Sequence, residues 1–170
     1  MEDLYKLSVI FYKRKLPIRS FGDLIDKFSD WVIRLITRGP YSHCEIAFPL
    51  NDGSDKWRCY SSSGRDGGVR IKEMVLKEDA WDIVPINDFL GVNGYFTLKD
   101  LDDFHSKYEG KKYDWRGALG IGIGLKDNEN KLFCSEYCAL FLGYYESWRY
   151  SPNQLAALSK IKDEYHEKDY

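Results

Sequence analysis

The sequence predicts an α+β fold with an antiparallel sheet, and three observations predict it. Runs of β-branched and aromatic side chains recur through the first half of the chain. Runs of helical length and pattern dominate the second half, and neither a linker nor an internal repeat divides the two. A chain of 170 residues suits one hydrophobic core. We therefore expect a single domain over residues 1–170.

The first half predicts a strand, a helix and then several short strands. Residues 4–12 are rich in β-branched and aromatic side chains, which is typical of a strand. Ser20 begins a helix that runs to about Thr37, because apolar positions recur across it at helical spacing. The turn residues 51–54 favour a hairpin, and strands are predicted over residues 42–48, 57–62, 69–71 and 81–86.

The second half is predicted to be mostly helical. Thr97 and Asp100 form a capping-box-like start for a helix that ends near Tyr108. The later segments are, in chain order, an irregular to helical stretch over 110–124, a buried apolar helix over 134–146, and a helix that opens at Ser151-Pro152 and runs to about Tyr165.

The composition excludes several classes of protein. The 25 basic and 27 acidic residues give a net charge of -2, so we expect no nucleic-acid partner. The 13 Tyr, 9 Phe and 5 Trp exclude a disordered chain. We see no signal peptide and no apolar run long enough for a transmembrane segment. The four cysteines are too few for a disulfide framework, which favours a cytoplasmic protein.

A cysteine and a histidine carry the chemistry that the sequence suggests. Cys134 lies at the predicted start of a helix, where free backbone N–H groups and the helix dipole favour a thiolate. Strand alternation places His43 and Glu45 on one face and Cys44 on the other. A thiol at a helix N-terminus beside a strand histidine is the arrangement of cysteine hydrolases. For this chemistry, the sulfur and the imidazole are expected to lie within hydrogen-bond distance at the mouth of a groove.

The same cysteines do not predict a metal site. Cys134 and Cys138 lie four positions apart, and the chain has neither Cys-x-x-Cys nor His-x-x-x-His spacing. His43 and Cys44 are expected to point to opposite faces of their strand. We therefore expect neither a metal nor a cofactor.

Four segments carry a resemblance to a known family: residues 41–46 (YSHCEI), 61–69 (SSSGRDGGV), 113–115 (YDW) and 133–138 (FCSEYC). Together they resemble the circularly permuted NlpC/P60 hydrolases, the papain-like proteins that include the YiiX/YebB-like group. Phage-encoded members are the most similar. The histidine precedes the cysteine, which is the mark of the permutation. The resemblance implies an antiparallel sheet or small barrel packed against helices.

The resemblance also implies an activity. Cys134 matches the nucleophile and His43 the general base of a hydrolase that cleaves an amide, peptide or acyl ester bond through a covalent acyl-enzyme. The implied substrates are a peptide, a peptidoglycan fragment or an acylated small molecule, met in the host cytoplasm if the chain is phage-encoded. The alternative is a papain-like fold used as a non-catalytic binding or inhibitory module. The oligomeric state stays open.

The third catalytic residue has two candidates. A hairpin centred near Asp52 and Gly53 sets position 43 opposite about position 62, which places Ser61, Ser62 and Ser63 beside the imidazole and makes Ser62 one candidate. Glu45 lies on the same face as His43, roughly 6–7 Å along the strand, so it either bonds the ring or pairs with a nearby arginine. Both candidates stay open.

Four residues are candidates for substrate binding. Tyr113 matches the family's Tyr-Asp element and is expected near the thiol, where its hydroxyl would help to hold an oxyanion. Arg65, or alternatively Arg70, is placed to clamp a substrate carboxylate. Ser61 and Tyr41 complete the set, because they flank the predicted site in the motifs that carry the resemblance.

Overall fold

Seven strands form one curled, mixed sheet, a half-barrel, in the computed structural model, which describes residues 6–13, 34–35, 37–92, 96–120 and 130–167. The strand order across the sheet is β5-β1-β2-β3-β4-β6-β7. All neighbours are antiparallel except β6 and β7. The strands are β1 Ser8–Tyr12, β2 His43–Pro49, β3 Lys56–Ser63, β4 Gly68–Val75, β5 Trp81–Pro85, β6 Lys112–Tyr113 and β7 Lys131–Leu132.

The described residues also form four α-helices, so the predicted α+β class is confirmed. The helices are α1 Leu98–Tyr108, α2 Trp115–Gly120, α3 Cys134–Phe141 and α4 Pro152–Glu167. Across these ranges, no helix combines the length and the apolar character that crossing a bilayer requires. The predicted helix from Ser20 to Thr37 falls almost wholly outside the described residues.

Two predicted helix starts are confirmed by their capping bonds. Thr97 Oγ1 accepts a hydrogen bond from the backbone N–H of Asp100, and Asp100 Oδ2 accepts one from the N–H of Thr97. At the start of α4, Ser151 Oγ accepts from the N–H of Gln154 while Gln154 Oε1 accepts from the N–H of Ser151. Both are reciprocal capping boxes, which satisfy two otherwise unpaired donors at each helix start.

Helix α3 ends five residues before the predicted end at position 146. Gly143 adopts φ +79°, in the left-handed region, and the N–H of Tyr144 donates to the carbonyl of Ala139. This is a glycine-terminated helix end, in which the chain leaves the helix axis and satisfies its last carbonyls. The apolar residues on either side of Gly143 had favoured a longer helix.

The strand that carries His43 and Glu45 has the predicted alternation. Its Cys44, Ile46 and Phe48 side chains lie in the main core, which also contains residues of α3, whereas Ala47 packs in a smaller cluster. The hairpin register differs by one position from the predicted one, since Ile46 lies opposite Tyr60. A shift of one residue reverses which side chains share a face, so it changes the neighbours of His43.

Candidate functional site

Cys134 is the first residue of α3 and lies against β2. Phe133 before it is extended, and the carbonyl of Phe133 accepts the first helical hydrogen bond from Tyr137. Glu136, in the first turn, accepts a hydrogen bond from the N–H of Phe133. The sulfur therefore lies at the positive end of the helix dipole, where a thiolate is stabilised.

The imidazole of His43 and the thiol of Cys134 lie close enough for each to shift the pKa of the other. Burial by itself lowers the pKa of His43, but the charge of Cys134 and hydrogen bonds to Cys134 and Glu45 raise it to about 10. The raised pKa of the imidazole and the lowered pKa of the thiol both favour the thiolate-imidazolium form of the pair.

Cys44 is a third member of this cluster, and it was not among the site residues predicted from the sequence. Hydrogen bonding from its thiol is the largest cause that lowers the pKa of Cys134, and hydrogen bonding from its backbone N–H is a smaller cause. Burial raises the pKa of Cys134, and the charge of His43 lowers it again, to well below its ordinary value. Burial also holds the pKa of Cys44 well above its ordinary value, so Cys44 remains a neutral donor. Strand alternation gave a usable signal, because it points Cys44 at the face on which α3 packs.

Glu45 holds the other side of the imidazole ring. The distance between His43 Nε2 and Glu45 Oε1 is 3.0 Å, which leaves Nδ1 as the ring nitrogen for the sulfur. Glu45 is 1% exposed. Burial raises its pKa, but hydrogen bonds from Arg70 and His43 outweigh burial and lower the pKa to about 2. The carboxylate is therefore ionised over the whole physiological range, and it fixes the orientation of the ring.

Arg70 on β4 forms a bidentate pair of hydrogen bonds with the same carboxylate. Its Nη1 donates to Glu45 Oε2 at 2.6 Å and its Nη2 donates to Glu45 Oε1 at 2.8 Å. Its Nε donates to Asp66 Oδ2 at 2.9 Å. The expected alternatives for Glu45, a bond to the ring or a pair with an arginine, thus occur together. The result is a chain of charges that runs from Asp66 to Cys134.

A cavity of about 160 Å³ opens beside this chain of charges. A volume near 150 Å³ admits one benzene-sized group in a protein interior, so the cavity has room for about one side chain of a substrate. Among the described residues, its lining includes the ionic groups of the site, His43, Glu45, Arg70, Asp66, Arg65 and Lys72, and the aromatic rings of Tyr12, Trp81, Tyr113 and Trp115.

Gly64 shapes one wall of the cavity. A Cβ atom at this position would lie 2.4 Å from Cζ2 of Trp115, well inside van der Waals contact. Only a glycine lets the indole of Trp115 lie this close to the backbone of the 64–67 turn. The resemblance singled out this Ser-Gly-Arg-Asp segment, and the structure places it at the cavity edge.

The sulfur itself is less accessible than the sequence interpretation requires. His43 lines the cavity, but Cys134 is 2% exposed and is not among the described residues that line it. The expectation of a sulfur at the mouth of a groove is therefore corrected: the imidazole faces the cavity, and the sulfur is enclosed next to it. An electrophile reaches the thiolate only when the surrounding side chains move apart.

Three site residues predicted from the sequence do not line the cavity, and their hydroxyl groups donate hydrogen bonds to other groups. Ser62 Oγ donates to the carbonyl of Leu132 at 2.7 Å, and Ser61 Oγ donates to the carbonyl of Cys44 at 2.9 Å. Tyr41 donates to Asp82 Oδ2 at 2.6 Å. The shifted hairpin register explains the position of Ser62, since it moves this side chain away from the face of His43, whereas Ser63 does line the cavity. Of the two candidates for the third residue, Glu45 is the one that contacts the ring, and both Tyr113 and Arg65 line the cavity.

The chain matches no protein-family model and no curated protein sequence. Within the described ranges, no group of three or more His, Cys, Asp or Glu side chains is arranged to hold a metal ion.

Proposed function

We propose that the protein is a cysteine hydrolase that cleaves an amide, peptide or acyl ester bond, of the circularly permuted NlpC/P60 type. One observation carries the proposal: His43 is bonded to the Glu45 carboxylate on one side and lies by Cys134, and this arrangement lowers the thiol pKa and raises the imidazole pKa. A preformed thiolate-imidazolium pair is the resting state of a thiol nucleophile with its general acid.

The proposed reaction uses the two side chains in turn. The thiolate of Cys134 attacks the carbonyl carbon, and a C–S bond forms as the π electrons move to oxygen. When the tetrahedral intermediate collapses, the imidazolium of His43 gives its proton to the leaving amine or alcohol. The neutral imidazole then takes a proton from water, whose oxygen attacks the thioester, and collapse releases the acid and restores the ion pair.

The start of α3 also supplies a group for the oxyanion. The backbone N–H of Cys134 belongs to the first turn, where N–H groups have no partner within the helix. A carbonyl attacked by the sulfur places its oxygen near that donor. Tyr113 lines the cavity, and its hydroxyl is the second candidate donor.

The proposed substrate presents a small group to the cavity. A peptide, a peptidoglycan fragment or an acylated small molecule each fits the space for about one side chain. The aromatic lining favours an apolar or planar portion. We place the reaction in a cytoplasm, that of the host if the chain is phage-encoded, because a reducing compartment keeps Cys134 and Cys44 as thiols.

A second function is favoured by the enclosure of the sulfur. Since Cys134 is 2% exposed, a papain-like fold that binds a ligand in the cavity without turnover is the competing proposal. In that case His43, Glu45 and Arg70 form a ligand-binding surface, and the Cys134 pair only stabilises it.

Covalent trapping in a cell lysate separates the two functions. We expect an acylating probe to label wild-type protein at Cys134 and to leave Cys134→Ala unlabelled, with mass spectrometry identifying the adduct. Cys138→Ala is the matched control, because Cys138 lies on the same helix and is also buried, and it should label like the wild type. Reversible binding of the same compound by wild type and Cys134→Ala alike, with no adduct, would support the binding module.

A further inference from the structure

We propose that Arg70 is a positioning residue that holds Glu45 as a carboxylate. Through Glu45 it sets the pH below which the Cys134–His43 ion pair is lost by protonation of the thiolate. The inference rests on the proposed function, because it concerns the regulation of that site by pH. Arg70 acts through Glu45 and His43, and in the structure it bonds neither the sulfur nor the imidazole.

Arg70 binds Glu45 through a bidentate contact. Two of its nitrogens meet the two oxygens of Glu45, and the third donor direction is used by Asp66. Its side chain is 14% exposed, against 2% for Glu45. A planar guanidinium matches a carboxylate in this two-pronged way, whereas an ammonium group acts as a point charge.

Few other charged groups face Glu45 among the described residues. His43 approaches along β2 and Arg70 approaches from β4. Cys59 on β3 is close enough for the charge of Glu45 to raise its thiol pKa further after burial has raised it, so Cys59 is neutral. Asp66 neutralises part of the Arg70 charge, and Lys72 lies 3.8 Å from Asp66. His43 and Arg70 are therefore the two cations in contact with Glu45.

Loss of Arg70 has a defined consequence for the pair. A buried carboxylate without a cation takes up a proton at a higher pH, because burial penalises its charged form. Once Glu45 is protonated, the imidazolium of His43 loses the charge that stabilises it, and it gives less support to the Cys134 thiolate. The thiolate then becomes protonated at a higher pH than in the wild type.

The pH profile of Cys134 alkylation tests this inference. The rate of iodoacetamide labelling at each cysteine is measured by mass spectrometry from pH 4 to pH 9 in wild type, Arg70→Met and Arg70→Lys. Access to the enclosed sulfur limits the absolute labelling rate equally at every pH. The acid limb, the low-pH range in which the rate falls as the thiolate takes up a proton, therefore measures the pKa of the thiol. We expect Arg70→Met to move the acid limb up by at least about one pH unit, a tenfold loss on that limb, and Arg70→Lys to recover part of it.

Arg58→Met is the matched control. Arg58 makes a similar two-nitrogen contact with Glu73 between neighbouring strands, but both side chains are more than 40% exposed, and they lie outside the cavity lining. Its alkylation profile should match that of the wild type. A folded Arg70→Met protein with the wild-type profile would overturn the inference.

Two further outcomes are decisive. If Arg70→Met fails to fold by circular dichroism, Arg70→Lys carries the test, since it keeps the charge and loses the two-pronged contact; an acid limb at the wild-type position would overturn the inference. If wild-type Cys134 labels no faster than Cys138 at any pH, the proposed function fails first. A reactive wild-type Cys134 with no response to Arg70 refutes the role of Arg70 alone.

Discussion

His43 Nε2 and Glu45 Oε1 lie 3.0 Å apart although both residues belong to the same strand, with one residue between them. Side chains at such positions start roughly 6–7 Å apart at their Cα atoms, so the ring and the carboxylate lean toward each other. Arg70 holds Glu45 from the far side. One strand thus supplies both the proposed general base and the group that orients it.

Glu45→Gln should lower the free energy of unfolding by about 3 kcal/mol, because it removes the buried carboxylate that pairs with both His43 and Arg70 and leaves Arg70 only its contact with Asp66. Chemical denaturation by urea, followed by circular dichroism, measures the change. Glu73→Gln is the control, since the Glu73–Arg58 pair is exposed and its loss should cost about 0.5 kcal/mol or less. Equal effects of the two substitutions would show that the burial of Glu45 contributes nothing.

The stability of the protein should fall in acid in a way that depends on Glu45. Its pKa is lowered from an ordinary 4.5 to about 2 in the folded chain, so the stabilisation is present above pH 4.5 and is lost as the pH falls through 2. The difference corresponds to about 3 kcal/mol at most. Urea titrations of wild type and Glu45→Gln between pH 6 and pH 2 isolate it. The two curves should converge toward low pH, and parallel curves would contradict the assignment.

Cys44→Ala should make Cys134 less reactive at the acidic pH values where its thiolate is being protonated, without removing His43. The substitution deletes a hydrogen bond to a charged sulfur, a contribution of about 1.5 kcal/mol or more, which corresponds to a roughly tenfold lower thiolate fraction on the acid limb. Cys44→Ser keeps a donor at this position and should recover part of the loss. Alkylation rates of Cys134 in the two variants measure the effect; identical rates would show that the Cys44 thiol does not support the thiolate.

Gly64→Ala should weaken substrate binding while leaving the thiolate intact. The added methyl group would lie 2.4 Å from Trp115, so the indole must move and the cavity wall must change. The Michaelis constant for a substrate identified by the covalent trapping experiment should rise. The pH dependence of iodoacetamide labelling at Cys134 should stay as in the wild type. A changed alkylation profile with an unchanged Michaelis constant would contradict this placement of the wall.

Local sequence patterns predicted the parts of the structure that depend on neighbouring residues. The alternation of β2, the capping box at Thr97 and the Ser151 helix start each follow from side chains within a few positions, and each is confirmed. The approach of His43 to Cys134 was expected from the residue types and the resemblance, and each of the two groups shifts the pKa of the other.

Long-range placement could not be predicted in the same way. A hairpin register off by one position put Ser62 beside the ring, whereas the structure ties the Ser62 hydroxyl to Leu132. The Arg70 clamp depends on how β4 pairs across β3, which brings Arg70 opposite Ser61 and within reach of Glu45. The enclosure of Cys134 depends on every side chain that packs around it. None of these follows from spacing along the chain.

The most direct test of the thiolate-imidazolium pair is the pH dependence of Cys134 alkylation in wild type and in His43→Ala. An ordinary thiol below its pKa gains about tenfold in rate for each pH unit. We predict that the wild-type labelling rate at Cys134 changes less than about twofold between pH 6 and pH 8. In His43→Ala the rate should rise about tenfold for each pH unit over the same range. A wild-type Cys134 that follows the ordinary rise, or a His43→Ala profile that matches the wild type, would contradict the account.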